Sequence, residues 1–241
     1  MSSAISLFLS YSKRNLSHEF EVAFCVRGVI SPLLANIYLH ELDRRFLGEG
    51  GPKRFANARI VRYADDFVIQ ARSMGKRITD FVAEVLSGLE LSLNRDKTRI
   101  VDLGAKGTSL DFLGFTFRYH PNLFGKGNYL HIEPSAKSMA RMRERLRDLT
   151  RRQSRFPLEV VIEELNRYLR GWSQYFRYGH PRGAFRKVNW FVQQRMRRFL
   201  VTRSQRRCRH LEGPSLYQGL KAKGLIYLRV SSRQPLANAS G

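Results

Sequence analysis

The stretch IVRYADDFVI, residues 60–69, sets Asp65 and Asp66 side by side between two runs of β-branched and aromatic residues. Carboxylate oxygens are the ligands that hard divalent cations prefer. Two Mg²⁺ ions roughly 4 Å apart can stabilise both the attacking 3′-hydroxyl and the leaving pyrophosphate of a phosphoryl transfer. A hairpin tip would carry such ligands rigidly, with little bulk around them. The plainer reading is that Asp favours tight turns through its own local hydrogen bonds. On the dipeptide alone the plainer reading wins, and only the flanking strands and the charge of the remaining chain reopen the question.

The elements around the pair follow from hydrophobic periodicity. In residues 29–47, Ser31 and Pro32 stand at a helix start, and Leu34, Ile37, Tyr38 and Leu42 follow at helical spacing. Glycine and proline break the chain at 48–52, and 59–72 reads as strand, tight turn, strand with Ala64, Asp65 and Asp66 at the turn. Ile78, Phe81, Val82, Val85, Leu86 and Leu89 predict a second amphipathic helix. LSLNRDKTRIVDL and LDFLGFTFRY predict two further strands, and GKGN at 125–128 a loop that turns the chain into YLHIE. After Pro134 the strand signal ends. Met139, Met142, Leu146 and Leu149, then Val161, Leu165, Tyr168, Leu169 and Trp172, then Phe185, Val188, Val192, Met196 and Phe199 predict three helices of a small bundle. From about residue 212 the periodicity fades, which predicts little order.

With 241 residues, 43% of them apolar, the chain can bury a real core. Its net charge of +23 suits a polyanionic partner, nucleic acid first and a membrane surface second. Most of that charge falls within residues 134–210. Cys25 and Cys208 form no metal-binding or redox spacing, which fits a reducing cytoplasm. No apolar run approaches the length of a membrane span, and AISLFL near the start lacks the basic leader of a signal sequence. The expectation is a soluble cytoplasmic protein with no membrane partner.

The arginines of residues 134–210 are too many for the acids there to pair. Arg141, Arg145, Arg152 and Arg155, with Arg143, Arg147 and Arg151 beside them, point to a phosphate backbone rather than a merely solvated helix face. RGWSQYFRYG places Trp172, Tyr175 and Phe176 between Arg170 and Arg177, with Tyr178 directly after. Such aromatics can stack on unpaired bases, although Trp172 and Phe176, four apart, fit a core better.

The ordered set GVISPLLANIYLHELD, VRYADDFVI, LSLNRDKTRIV, LDFLGFTF and LNRYLRGWSQYFRYG resembles the second half of a group II intron reverse transcriptase continuing into its maturase domain. The resemblance implies an α+β architecture: a partial polymerase palm, an antiparallel sheet with packed helices, followed by an all-α thumb or maturase bundle. It implies an RNA-directed DNA polymerase family whose members bind intron RNA to assist splicing and mobility, with an RNA template and a DNA primer as further partners. Asp65 and Asp66 then resemble the catalytic, Mg²⁺-binding pair, and Tyr63 and Ala64 the residues that shape the turn. Gly28, Ser31 and Pro32 fall in the stretch that resembles the family's segment facing template and nucleotide. Lys97 resembles the lysine near the nucleotide phosphates, or is an ordinary strand-end lysine. Leu113 and Gly114 resemble the primer-grip turn, although FLGF also fits a core strand with a bulge glycine.

The resemblance read from these motifs stops at Arg27. Residues 1–42 contain no aspartate, only Glu19, Glu21 and Glu41, so the third carboxylate of a two-metal site is wanting. The expected organisation is 1–27 without resemblance, 28–133 partial palm, 134–211 thumb and 212–241 tail, as from an N-terminal truncation or frameshift. A separately encoded first half would be the completing partner. Three functions compete: a polymerase, alone or so completed; an RNA-gripping maturase-like fragment; and a degenerate remnant with uncovered sheet edges.

Overall fold

The computed structural model describes residues 5–10, 31–93, 98–122, 125–152, 156–202 and 215–230. They fall into two compact units that divide after Leu110.

In the first unit, helix α1, Ser31–Leu47, starts at the predicted Ser-Pro pair, where proline's missing N–H costs nothing. Its Leu39, Leu42 and Phe46 recur at three- and four-residue spacing and are buried. A short turn of helix, α2, Pro52–Phe55, leads to strand β2, Arg59–Tyr63, and strand β3, Asp66–Ala71. Helix α3, Lys76–Gly88, buries Ile78, Val82, Val85 and Leu86. Residues Phe67, Ile69 and Ala71, alternate positions of β3, face these two helices and complete one apolar core. The phenol of Tyr38 donates to the Leu89 carbonyl at 2.7 Å, tying α1 to the end of α3.

The sheet order is β2-β3-β1-β4, with β1 at Ile5–Ser10 and β4 at Arg99–Asp102. Strand β1 runs antiparallel to both neighbours, so residues from the start of the chain occupy an inner position of the sheet. Residues 1–27 therefore do not all stand outside the palm as expected. Six residues without a turn signal carry little local information, and their strand state comes from pairing with distant segments. The long strand predicted over LSLNRDKTRIVDL is confined, among the described residues, to β4 and an isolated bridge at Leu93.

The second unit opens within the first strand of a three-stranded sheet, β5 at Leu110–Phe112, β6 at Phe115–Pro121 and β7 at Asn128–Pro134. LDFLGFTFRY is thus a hairpin and not one strand. Leu113 and Gly114 both have positive φ, 48° and 79°, the two-residue loop whose twist matches its strands. A β-carbon on Gly114 would lie 2.8 Å from the Ser138 hydroxyl, so glycine is required there for space as well as conformation. The unit boundary also differs from the predicted one at 133/134. Phe115 stacks on Tyr175 at 5.5 Å and contacts Phe176 at 5.0 Å, which makes this sheet part of the helical unit's packing.

Helices α4, Ala136–Arg152, α5, Leu158–Tyr175, and α6, Arg182–Thr202, are the three predicted bundle helices. Their shared core includes Met142, Leu146, Leu165, Leu169 and Met196, each essentially inaccessible, and each such burial contributes about 1.5 to 3 kcal/mol. Trp172 and Phe176 belong to this core, as their spacing suggested. Beyond the predicted bundle, helix α7, Leu216–Ala222, and the extended residues that follow it are ordered against it, with Leu220, Leu225 and Leu228 buried. The expected disorder from 212 onward therefore does not hold for 215–230. Asn166 on α5 donates to the Gly224 carbonyl at 2.8 Å and accepts from the Ile226 amide at 2.9 Å. Asn189 on α6 does the same for the Leu228 carbonyl and amide. Two side-chain amides thus serve this segment as a sheet neighbour would. No described helix is long and apolar enough to cross a membrane.

Candidate active-site hairpin and nucleic-acid interface

Register places Tyr63 opposite Asp66, which leaves Ala64 and Asp65 as the two loop residues of the β2–β3 hairpin. Ala64 has φ 54°, a left-handed conformation that costs a non-glycine residue about 1 to 3 kcal/mol and persists only when its surroundings impose it. The imposing group is Arg62. Its Nη1 donates to the Ala64 carbonyl at 3.1 Å and to Asn36 Oδ1 at 2.9 Å, while Nε and Nη2 hold the Asp43 carboxylate at 2.6 to 3.2 Å. This guanidinium, with only 12% of its side chain exposed, fastens the turn to two positions of α1. Motif reading passed over Arg62, Asn36 and Asp43. The available signal was an arginine set between Val61 and Tyr63 within a strand, ahead of which runs a helix that carries an acid.

Asp65 lies exposed at the tip, and Asp66 is half-buried as the first residue of β3. Alternation puts Asp66 with Tyr63, Val61 and Val68 on the face of the hairpin turned away from α1 and α3. Tyr63 is 65% and Val61 49% exposed, so this face is open on β2. On the other side of β3, the residue paired with Asp66 is Ser10 of β1. The neighbouring strand therefore brings a serine, not an acid, to the register position beside the pair.

Among the described residues no three His, Cys, Asp or Glu side chains group as a metal site would require. Asp43, the acid nearest in the hydrogen-bonded network, is engaged by Arg62. Among the described residues, the hairpin and its register partner on β1 bring two carboxylates and a serine to this place, fewer acids than a two-metal centre uses.

The remaining sequence-predicted residues divide as follows. Leu113 and Gly114 form the turn already described, whose Gly114 carbonyl accepts from the Ser135 amide at 2.8 Å and the Ser138 hydroxyl at 2.9 Å. The Leu113 carbonyl accepts from the Tyr175 phenol at 2.9 Å. Gly28, Lys97 and Arg155 lie outside the described residues. Ser31 and Pro32 begin α1, and Arg152 ends α4, with only their backbone described. Arg141, Arg145, Arg170 and Arg177 are exposed, and among the described residues none of the four forms an ion pair. Arg177 lies over the Tyr178 ring at 5.2 Å.

Comparison with known families agrees with this layout. Residues 2–117 match the family described as reverse transcriptase (RNA-dependent DNA polymerase), and residues 139–213 match the group II intron, maturase-specific domain. The chain belongs to the group II intron reverse transcriptase/maturase family. The first match begins well ahead of the Arg27 edge drawn from the motifs and takes in β1. The two domains imply binding of intron RNA and of a template and primer, and a nucleotidyltransferase fold of generally divalent-metal-dependent type. No match was found among curated proteins.

Proposed function

We propose that this group II intron reverse transcriptase/maturase chain acts by gripping intron RNA through its helical unit, and that its palm hairpin is a metal-binding remnant unable to polymerise unaided. The observation that carries the first half is the set of exposed arginines Arg141 and Arg145 on α4, Arg170 on α5 and Arg177 just beyond its end, held without acid partners among the described residues. Unpaired cations at this density are repelled by one another and are stabilised when phosphates replace their counterions. Arg152 and Arg155 extend the same set in sequence.

In this reading Asp65, exposed, and Asp66, half-buried, would bind Mg²⁺ weakly as two carboxylates, and the register position beside Asp66 holds Ser10 in place of an acid. Tyr63 and Ala64 shape the turn, while Gly28, Ser31, Pro32 and Lys97 belong to the template and nucleotide side, and Leu113 and Gly114 to the primer side.

The binding half is tested by measuring the affinity for a structured intron RNA across a salt series. The chain's log affinity should fall steeply and linearly with log salt. Replacing Arg141, Arg145 and Arg152 together by Ala should weaken binding and flatten the slope by about two to three ion equivalents. A triple variant with unchanged affinity and slope would remove the helical unit from the interface.

A further inference from the structure

We propose that the groove between α4 and α6 is a binding site for a single unpaired nucleotide of RNA, with Trp190 stacking on the base and Arg143, Arg186 and Lys187 holding its phosphates. The site rests on the RNA-gripping function proposed above and adds to it a place and a ligand chemistry that none of the motifs marks.

Trp190 is 62% exposed, although its helix buries Phe185, Val188, Val192, Met196 and Phe199 on the other side. An aromatic of this size left in water on a packed helix gives up a large apolar contact area, which a nucleobase face would recover. It lines a groove of about 330 Å³ with Phe191, Arg143, Arg186 and Lys187. That volume is of the order of one nucleobase with part of its ribose. Arg186 and Lys187 stand one helical turn before Trp190, so their cations flank the indole, and Arg143 reaches the groove from the facing helix.

The charge there is uncompensated. Helix α6 carries no acid at all, and among the described residues none of the three cations forms an ion pair with Glu144 or Asp148 of α4. Farther along α6, burial first and then the neighbouring Arg198 and Arg147 pull the Arg195 guanidinium below its usual value. The groove is also preformed. Arg195 donates to the Thr150 hydroxyl at 2.8 and 2.9 Å across the two helices, and the Arg147 guanidinium sits 5.5 Å over the Phe191 ring. An exposed aromatic face with cations around it suits a base that is unpaired and a backbone of unspecified sequence. A base-paired duplex offers no exposed face to the indole.

The indole itself reports the contact. The chain contains only two tryptophans, and the other, Trp172, is buried in the core. Emission of the intact chain is recorded during titration with a single-stranded oligouridine and, separately, with a blunt RNA duplex of equal length. Binding is followed in parallel by anisotropy of labelled RNA. The site predicts quenching by the single strand and little by the duplex, with no quenching in Trp190→Phe. Trp190→Ala should lose roughly tenfold to a hundredfold in affinity for the single strand and change duplex affinity by less than about twofold. Because Trp190 is exposed, neither substitution removes core packing.

Single-strand binding with unquenched emission and an unaffected Trp190→Ala variant would overturn the groove while leaving the RNA-gripping function in place. An equal loss for single strand and duplex would overturn base stacking. Quenching by anionic phospholipid vesicles but not by RNA would assign the groove to a membrane surface. No binding of any RNA would overturn the groove and the function it rests on together.

Discussion

At the scale of single residues, Arg62 controls the geometry of the palm hairpin more than either aspartate does. Its five-donor fork meets the Asp43 carboxylate, the Asn36 amide oxygen and the Ala64 carbonyl at once, which no lysine could reproduce. Replacing Arg62 by Met keeps the apolar stem and removes every one of these bonds. Asp43 is then left partly buried and unpaired, and the strained Ala64 loses the group that holds it. Chemical denaturation should show a loss of about 1 to 3 kcal/mol, discounted for the 23% exposure of the Asp43 side chain. A variant as stable as the parent would show that the turn is held by strand pairing alone. Of this arrangement, the sequence made the paired acids and the turn legible, because Asp-Asp between two β-branched runs is a local signal. The clamp was not legible, since its partners are Asn36 and Asp43, some twenty residues distant and on a helix whose other face drew the attention.

At the scale of elements, the helices were readable in detail and the strands only in part. A three- and four-residue apolar repeat carries its own evidence of which face is buried, and α3, α4, α5 and α6 all follow from it. Strand β1 and the segment after α7 owe their states to partners far along the chain, the first to β3 and β4, the second to Asn166 and Asn189. An asparagine inside a helix competes poorly for helix formation, so two of them in an otherwise amphipathic bundle are the mark of a bond made elsewhere. Asn166→Ala should leave the Gly224 carbonyl and Ile226 amide unmet and cost about 1 to 3 kcal/mol in a urea titration. No loss would mean that apolar burial of Leu225 and Leu228 suffices to dock the segment.

The β6–β7 hairpin gathers a second set of side chains that give the helical unit a pH dependence. His131 stacks on His180 at 4.7 Å and lies 5.0 Å from His120, with Glu133 and Arg118 alongside. Burial, then the neighbouring His180, with smaller contributions from His120 and Arg118, lowers the His131 imidazole below its ordinary 6.5, against the opposing pull of Glu133. The unfolded chain therefore binds a proton more readily than the folded one. The stabilising contribution is present above pH 6.5 and is lost as pH falls through the lowered folded-state value. Thermal melts should show a falling midpoint on acidification below 6.5, reduced in His131→Gln, and a flat profile in the parent would contradict the assignment.

At the scale of the whole molecule, two chemistries share one chain: a hairpin that presents carboxylates and a helical unit that presents cations. Composition alone made the second legible, because a net charge of +23, most of it in one region, has few explanations other than a polyanion. The first was legible as a motif and is limited by what lies beside it, since register brings Ser10 to the strand position next to Asp66. We propose that the chain holds RNA and that its two-carboxylate hairpin does not polymerise by itself. Primer extension on an RNA template with Mg²⁺, run with the purified chain beside Asp65→Asn, tests it most directly. The account predicts that both proteins retain the primer–template in a mobility shift and that neither extends it. Extension by the parent chain that disappears in Asp65→Asn would show a complete metal centre and contradict the account.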